Sequence, residues 1–483
     1  MPAYLGHLRF MKASLMNQVL NAGYKHRWLV LTVVLIAEMM DLLDSTIVNV
    51  AGPTLATQLG ASSTDLQWVI GGYALALGSG LILGGRLGDR FGRRNMFLFG
   101  LIGFTLASLL CAIAPTVLAL ILFRFIQGFL GAMLLPQGFG LIRETFPPQE
   151  FGKAFAAYGP AFGLGGILGP IIGGFLIQAD IAGMGWRCVF LVNVPVGIVA
   201  AVLSWIYLPK SVADKAVKID LLGAAMVVLA SGMLVYPLIK GQEAGWPVWT
   251  YAMLVGSVVV FYLFSRMERS AVKRGESPLI DPTIFEKRGY TLGITGLALY
   301  FAGFTGIYLT LSLFLQFGQH FSSADAGLGN LPIAIGSAIG GGVSGGFLAE
   351  KLGSRVLQIG AVVQLAGVGL LWLALPNAEH FSIWQIVPGL VVSGIGTGLI
   401  AAPIFDIILS SVSGKQTGSA SGVMSAVQSV FSSVGVAIFG TAFFSYALVG
   451  QAVTGFHTAL LIQLGISVVF LAITPAFPKR AER

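Results

Sequence analysis

The run Gly85-Arg86-Leu87-Gly88-Asp89-Arg90-Phe91-Gly92-Arg93-Arg94 returns 261 positions later as Gly346-Phe347-Leu348-Ala349-Glu350-Lys351-Leu352-Gly353-Ser354-Arg355. Glycine, leucine, small residue, acid, base, apolar residue, glycine and final arginine fall in the same order. Each copy follows one long apolar run and precedes another, so two halves of the chain carry the same loop at the same place, as in parallel internal repeats. Outward from the loops, apolar runs long enough to cross a bilayer fall near 28–52, 64–85, 95–114, 117–140, 154–178, 187–208, 220–239, 249–265, 290–316, 326–348, 356–375, 383–409, 417–447 and 455–476. About 20 apolar residues span a hydrocarbon core ~30 Å thick. The expectation is an all-α membrane protein with fourteen transmembrane helices. Residues 28–208 form one six-helix bundle and 290–476 a second. Residues 209–289 hold two inserted helices and a charged loop, Arg266 to Arg288, while 1–27 and 477–483 are a leader and a tail.

Composition agrees with lipid as the main solvent: 56% of the 483 residues are hydrophobic and 10% charged, against roughly a quarter charged in soluble domains. The 65 glycines suit helices that associate through small residues in lipid. Of the 28 Lys and Arg, 25 fall in the leader, the tail and alternate loops. That asymmetry puts both termini in the cytoplasm. It also reads the net charge of +8 as topology, with no nucleic-acid partner. Cys111 and Cys188 lack the spacing of a metal site or a disulfide framework, and none of the five histidines falls centrally in an apolar run. No phosphate-binding GxxxxGK[ST] loop occurs. Neither an enzyme, a metal nor a cofactor is expected, and the partners are the lipid bilayer, protons and a small-molecule substrate, with the chain a monomer.

These loops, together with four further strings, resemble the major facilitator superfamily and, within it, the fourteen-span drug:proton antiporters. Leu43-Asp-Ser-Thr-Ile-Val-Asn-Val-Ala-Gly-Pro53 is similar to that family's LDxTIVNVALP motif, with Gly52 where leucine is usual. Arg124-Phe-Ile-Gln-Gly-Phe-Leu-Gly131 resembles the superfamily's RxxQGxGxA segment. Gly165-Gly-Ile-Leu-Gly-Pro-Ile-Ile-Gly-Gly174 is similar to the exporters' antiporter motif, and Trp186-Arg-Cys-Val-Phe-Leu-Val-Asn-Val-Pro-Val-Gly197 to the WRxxFxxNxPxG run. The resemblance implies proton-coupled export of lipophilic cations across a bacterial inner membrane by two rocking bundles. An exporter of one metabolite or antibiotic, or a non-transporting partner or sensor, are the alternatives. It also implies a conformational lock at Gly85, Asp89 and Arg93, echoed by Glu350 and Arg355, where an Asp meets Arg residues across the interface between the halves. Gly169 and Pro170 would be a hinge.

Glu38, Asp41 and Asp44 lie three residues apart, so at about 100° per residue they make one inclined stripe on the first helix. Ionised carboxylates are costly at membrane depth, and three so close cannot all stay ionised. Any of them could carry a coupled proton: Asp44 has the motif, and Asp41 the more central position. Arg124 stays charged at any working pH, and these carboxylates are its natural partners. For substrate contact the candidates are Asp41, Asp44, Tyr73, Gln127, Tyr300, Tyr308, Gln316 and Asp406, because acids and aromatic faces suit lipophilic cations.

Overall fold

In the computed structural model, residues 24–147, 150, 154, 158–211, 213, 220–241, 243–274, 278–344, 348–375, 382–412 and 416–477 are described. Most of the expected leader and tail lie outside them. The first bundle is built from α1 (Arg27–Ile47), α2 (Ser63–Phe91), α3 (Arg93–Ala112), α4 (Val117–Gly131, continued by Leu135–Thr145), α5 (Tyr158–Ala179) and α6 (Cys188–Leu191, continued by Asn193–Tyr207). Then come α7 (Leu221–Lys240) and α8 (Val248–Lys273). The second bundle is α9 (Arg288–Leu313), α10 (Ser323–Gly329, continued by Leu331–Val343), α11 (Arg355–Ala374), α12 (Ile383–Leu409), α13 (Thr417–Ala447) and α14 (Ala452–Ile473). Among the described residues there is no strand.

Twelve of these helices are long and apolar enough to cross a membrane. The other two are α1, which is 21 residues long but carries three carboxylates, and α5, whose described apolar stretch is Leu168–Ala179. The expected count of fourteen therefore turns on α1 and α5.

The repeat is visible in how the helices begin and end. Ser62 and Asp65 cap α2 reciprocally, the Asp65 N–H donating to Ser62 Oγ at 3.2 Å and the Ser62 N–H to Asp65 Oδ2 at 3.0 Å. Ser322 accepts from the Asp325 N–H at 3.1 Å at the start of α10, the corresponding helix of the second half. Such caps satisfy backbone donors that the first turn leaves open. The two loops turn on Gly92 at φ 90° and Gly353 at φ 55°, values that side-chain-bearing residues adopt at a cost. Gly85 and Gly88 do not make that turn. They lie inside α2, which runs six residues past the expected span, because charged residues at a helix end can sit in headgroup water without breaking it.

Within the first half, α1 packs on α5 and α6, α2 on α4, and α3 on α4 and α6; within the second, α12 packs on α10 and α11, and α9 on α13 and α14. The halves meet through two helix pairs, α2 with α13 and α5 with α10. The inserted α7 lies against both α2 and α13, whereas α8 leans on α7. At the end bearing the Gly92 turn, each half keeps its own core. Val34, Met40, Phe97, Phe104 and Ile142 fill one; Leu297, Leu357, Ile404, Ile408 and Phe470 fill the other. At the far end the halves share a single core, with Ile47, Val50 and Leu66 against Leu309, Phe314 and Phe443.

The segment 278–287 straps these parts together at the turn end. Arg86 donates from α2 to the Pro278 carbonyl, and the Ile280 N–H donates to Glu268 of α8 at 2.9 Å. Asp281 accepts from Thr283 and, at 3.2 Å, from Gln416 next to α13. Partial burial alone would raise the Asp281 carboxyl, but those donors outweigh it and hold it below the usual range.

Candidate functional site: a buried charge cluster in the first bundle

Asp44 sits near the end of α1 with no exposed surface, where an unpaired carboxylate would not survive. Three donors from two other helices converge on it. Arg124 of α4 donates from Nη1 to Oδ2. Gln127, one turn further along α4, donates to Oδ1 at 2.9 Å, and Asn193 of α6 donates to the same oxygen at 2.6 Å. Ser108 of α3 closes the ring, its Oγ accepting from Gln127 at 2.7 Å and from Asn193 at 2.9 Å. The three-residue spacing of Arg124 and Gln127 brings both to one helix face, and Arg124 Nη1 also donates to Gln127 Oε1 at 2.7 Å. Arg124 Nε donates to the Val69 carbonyl of α2 at 3.1 Å.

The guanidinium lies 4.0 Å from the centre of the Tyr73 ring, a cation–π contact strengthened by the dry surroundings. Tyr73 in turn donates its hydroxyl to Asp41 Oδ1. Asp44, Gln127, Arg124, Tyr73 and Asp41 thus form one chain of contacts inside a single bundle. Glu38, one turn before Asp41, is 3% exposed and both its carboxyl oxygens are buried without a hydrogen-bond partner. The outer Nη2 of Arg124 is likewise buried and unpartnered.

The second bundle holds a neutral counterpart on the four matching helices. Tyr300 of α9 donates to the Thr397 carbonyl of α12 at 3.3 Å. Gln364 of α11 donates to Thr397 Oγ1 at 3.1 Å, and Ser467 of α14 donates to Gln364 at 3.1 Å, with Gln463 donating to Ser467 at 3.3 Å. Tyr300 also heads an aromatic ladder along α9: its ring is 6.0 Å from Phe304, which is 4.8 Å from Tyr308.

The remaining sequence candidates fall elsewhere. Gln316 is at the far end, donating to the Ser312 carbonyl and accepting from Ser323, both at 3.3 Å. Asp406 is exposed near the turn end of α12. Arg93 pairs with Asp89 and with Glu144 of the α4 continuation, each at 3.1 Å. Both contacts stay inside the first bundle, whereas the expected lock crosses between halves. The side chain of Glu350 lies outside the described residues, and Arg355 is exposed at the start of α11. Gly169 faces Thr46 of α1. Near Pro170, α5 meets α10 at Gly174 and Gly327, each of which packs its missing side chain against the other helix's backbone.

Asn193, Ser108 and Glu144 were not singled out from sequence. Asn193 had a signal, since it is the Asn of the quoted WRxxFxxNxPxG run; Ser108 and Glu144 had none, a small hydroxyl and a loop acid being ordinary there. The shared core at the far end encloses a cavity of about 10 Å³ lined by Asn49, Gly52, Leu66, Gln67, Ile70, Leu309, Leu313 and Phe444, room for one water at most. Among the described residues no cluster of three metal-ligating side chains occurs.

Comparison with known proteins gives a family match and several relatives. The model of the Major Facilitator Superfamily matches residues 34–436. A probable actinorhodin transporter of Streptomyces coelicolor is 42% identical over 87% of this chain and 73% of its own length. The multidrug resistance protein Stp of Mycobacterium tuberculosis is 32% identical over 83% of this chain and 73% of its own. Among solved structures, a bacterial homolog to human lysosomal transporter, Spinster, in an inward-facing and unoccupied conformation, superposes with a TM-score of 0.67 at 16% identity. That match covers 94% of this chain and 98% of the other.

Proposed function

The chain belongs to the Major Facilitator Superfamily, and from that premise we propose that it exports drug-like or antibiotic small molecules in exchange for protons by alternating access. The observation that carries the reading is the Asp44–Arg124 pair, both partners wholly buried in the first bundle. A scaffold or sensor has no need to keep charge at membrane depth, where it is costly and marks ion pathways. In this reading α1 and α5 complete fourteen spans in a bacterial plasma membrane, and the skew of basic residues puts both termini inside. The Gly92 turn end then faces the cytoplasm, where the halves keep separate cores joined by the 278–287 segment, while the shared core closes the outer end.

One proton moving inward down ~100 mV releases about 2.3 kcal/mol. At 1.4 kcal/mol per decade that supports a roughly 40-fold outward gradient of a neutral substrate. Tyr300, Phe304 and Tyr308 offer aromatic faces to a flat or lipophilic molecule. Asp41 and Asp44 are engaged by donors inside the bundle, and Asp406 is exposed at the turn end of α12, where a cation could meet it.

Two relatives divide the question of breadth. The name of the Stp protein, multidrug resistance, favours many substrates. The 42% identity to a probable actinorhodin transporter favours one dedicated compound. The test uses inside-out vesicles acidified inside, with ethidium, actinorhodin and a panel of neutral and cationic drugs added in turn. Dissipation of the pH gradient by several drugs, lost in Asp44→Asn, is the expected result; a response to actinorhodin alone selects the dedicated exporter. Correctly inserted native protein that responds to none of them overturns proton-coupled export.

A further inference from the structure

The three acids of α1 share a helix face but not a chemical environment, and the difference separates their tasks. Asp44 receives a guanidinium N–H and two amide N–H donors, so both its oxygens are hydrogen-bonded. Asp41 receives the Tyr73 hydroxyl. Glu38 receives nothing: both oxygens are buried and unpartnered, so an anion there would have neither donor nor water to stabilise it.

Resting on the proton-coupled reading above, we propose that the exchangeable proton of this transporter sits on Glu38 in the conformation described here, and that Asp44 is the fixed counterion of Arg124. The motif by itself favours Asp44 for both tasks. The helices packed on α1 carry the following titratable and polar groups. On its own helix the titratable neighbours are Asp41 and Asp44. From α2 comes Tyr73, from α4 Arg124, and from the α4 continuation Glu144, which is held at the surface by Arg93. Helix α6 brings the Asn193 amide, with Cys188 and Tyr207 at its two ends, and the described side chains of α5 bring no charge.

Loss of the proton in the alternate conformation would create a second anion one turn from Asp41. Like charges at that spacing repel. Asp41 holds the Tyr73 hydroxyl, and the Tyr73 ring lies 4.0 Å from the Arg124 guanidinium. Deprotonating Glu38 therefore pulls on Arg124 through Tyr73 and Asp41 without discharging Asp44. The proton leaves to water and returns from water, so no other reactant is required.

The experiment reads the acid directly. The full chain is reconstituted in liposomes and its protonated-carboxyl C=O stretching band recorded by infrared difference spectroscopy from acid to alkaline pH. Proton release on adding ethidium or actinorhodin is followed in parallel with a pH dye. The expected result is that Glu38→Gln abolishes one carboxylic-acid band and the proton release, that Glu38→Asp restores both, and that Asp44→Asn leaves the band in place. An unchanged set of bands in Glu38→Gln, or loss of that one band in Asp44→Asn that keeps the native circular dichroism, overturns the assignment. Rescue by Glu38→Asp separates lost protonation from a merely misfolded variant. If the native protein shows the Glu38 band but releases no proton with any substrate, proton-coupled export fails while the location of the proton on Glu38 stands.

Discussion

Asp44 and Arg93 are both charged residues with close partners, yet burial makes them energetically different. Asp44 and Arg124 are fully buried, so Asp44→Asn leaves a guanidinium without its counterion, a loss of about 3–5 kcal/mol for a broken buried pair. The expected outcome is a large fall in the melting temperature of the purified protein. Asn193→Leu withdraws the donor shared by Asp44 and Ser108 and should cost about 1–3 kcal/mol, seen in the same melt. Arg93, about a third exposed beside Asp89 and Glu144, should contribute no more than about 0–1 kcal/mol. Arg93→Ala is therefore expected to leave the melting temperature nearly unchanged, and a drop matching that of Asp44→Asn would refute this ranking.

Helix α5 shows what glycine does at the level of an element. Its Gly174 lies so close to α10 that an added Cβ would stand 2.7 Å from the Ala324 Cα, and backbone cannot move aside as a side chain can. Gly174→Leu should therefore hold α5 and α10 apart at the far end. Overpacking of this kind costs about 1–3 kcal/mol, on the order of tenfold in the population of the closed far end. Maleimide labelling of a Gln67→Cys reporter should speed up accordingly and export should fall. Unchanged labelling with full export would show that α5 and α10 do not need this approach.

For the whole molecule, the halves share one core at the far end and keep separate cores at the turn end. Gln67 of α2 and Thr441 of α13 face each other across the seam, with side-chain oxygens 3.4 Å apart. A Gln67→Cys, Thr441→Cys double variant should cross-link on oxidation, hold the far end shut and stop export, with reduction restoring it. Undiminished export from fully cross-linked protein would contradict rocking of the two bundles about this seam. Cys111 and Cys188 are buried and do not compete for the linkage.

The sequence by itself determined the all-helical membrane class and the repeated loop. Apolar length, basic-residue asymmetry and the recurring loop are local properties, and helices in lipid must satisfy their backbone internally. The loop glycines were legible only as a repeat, since Gly85, the one singled out, lies inside α2 and the turns are made by Gly92 and Gly353. The acid stripe and Arg124 were legible as charges needing partners, because burying a lone charge is prohibitive whatever the fold. Only the tertiary structure decided which partner each received. Asn193 reaches Asp44 from a helix far away in the chain, Ser108 accepts from Asn193 beside it, and Tyr73 turns to Asp41, while Glu38 is left with none. A helical period fixes the direction in which a side chain points. The donors that meet it are fixed by how six helices pack, and that packing is set by close approaches at small residues summed over the whole bundle.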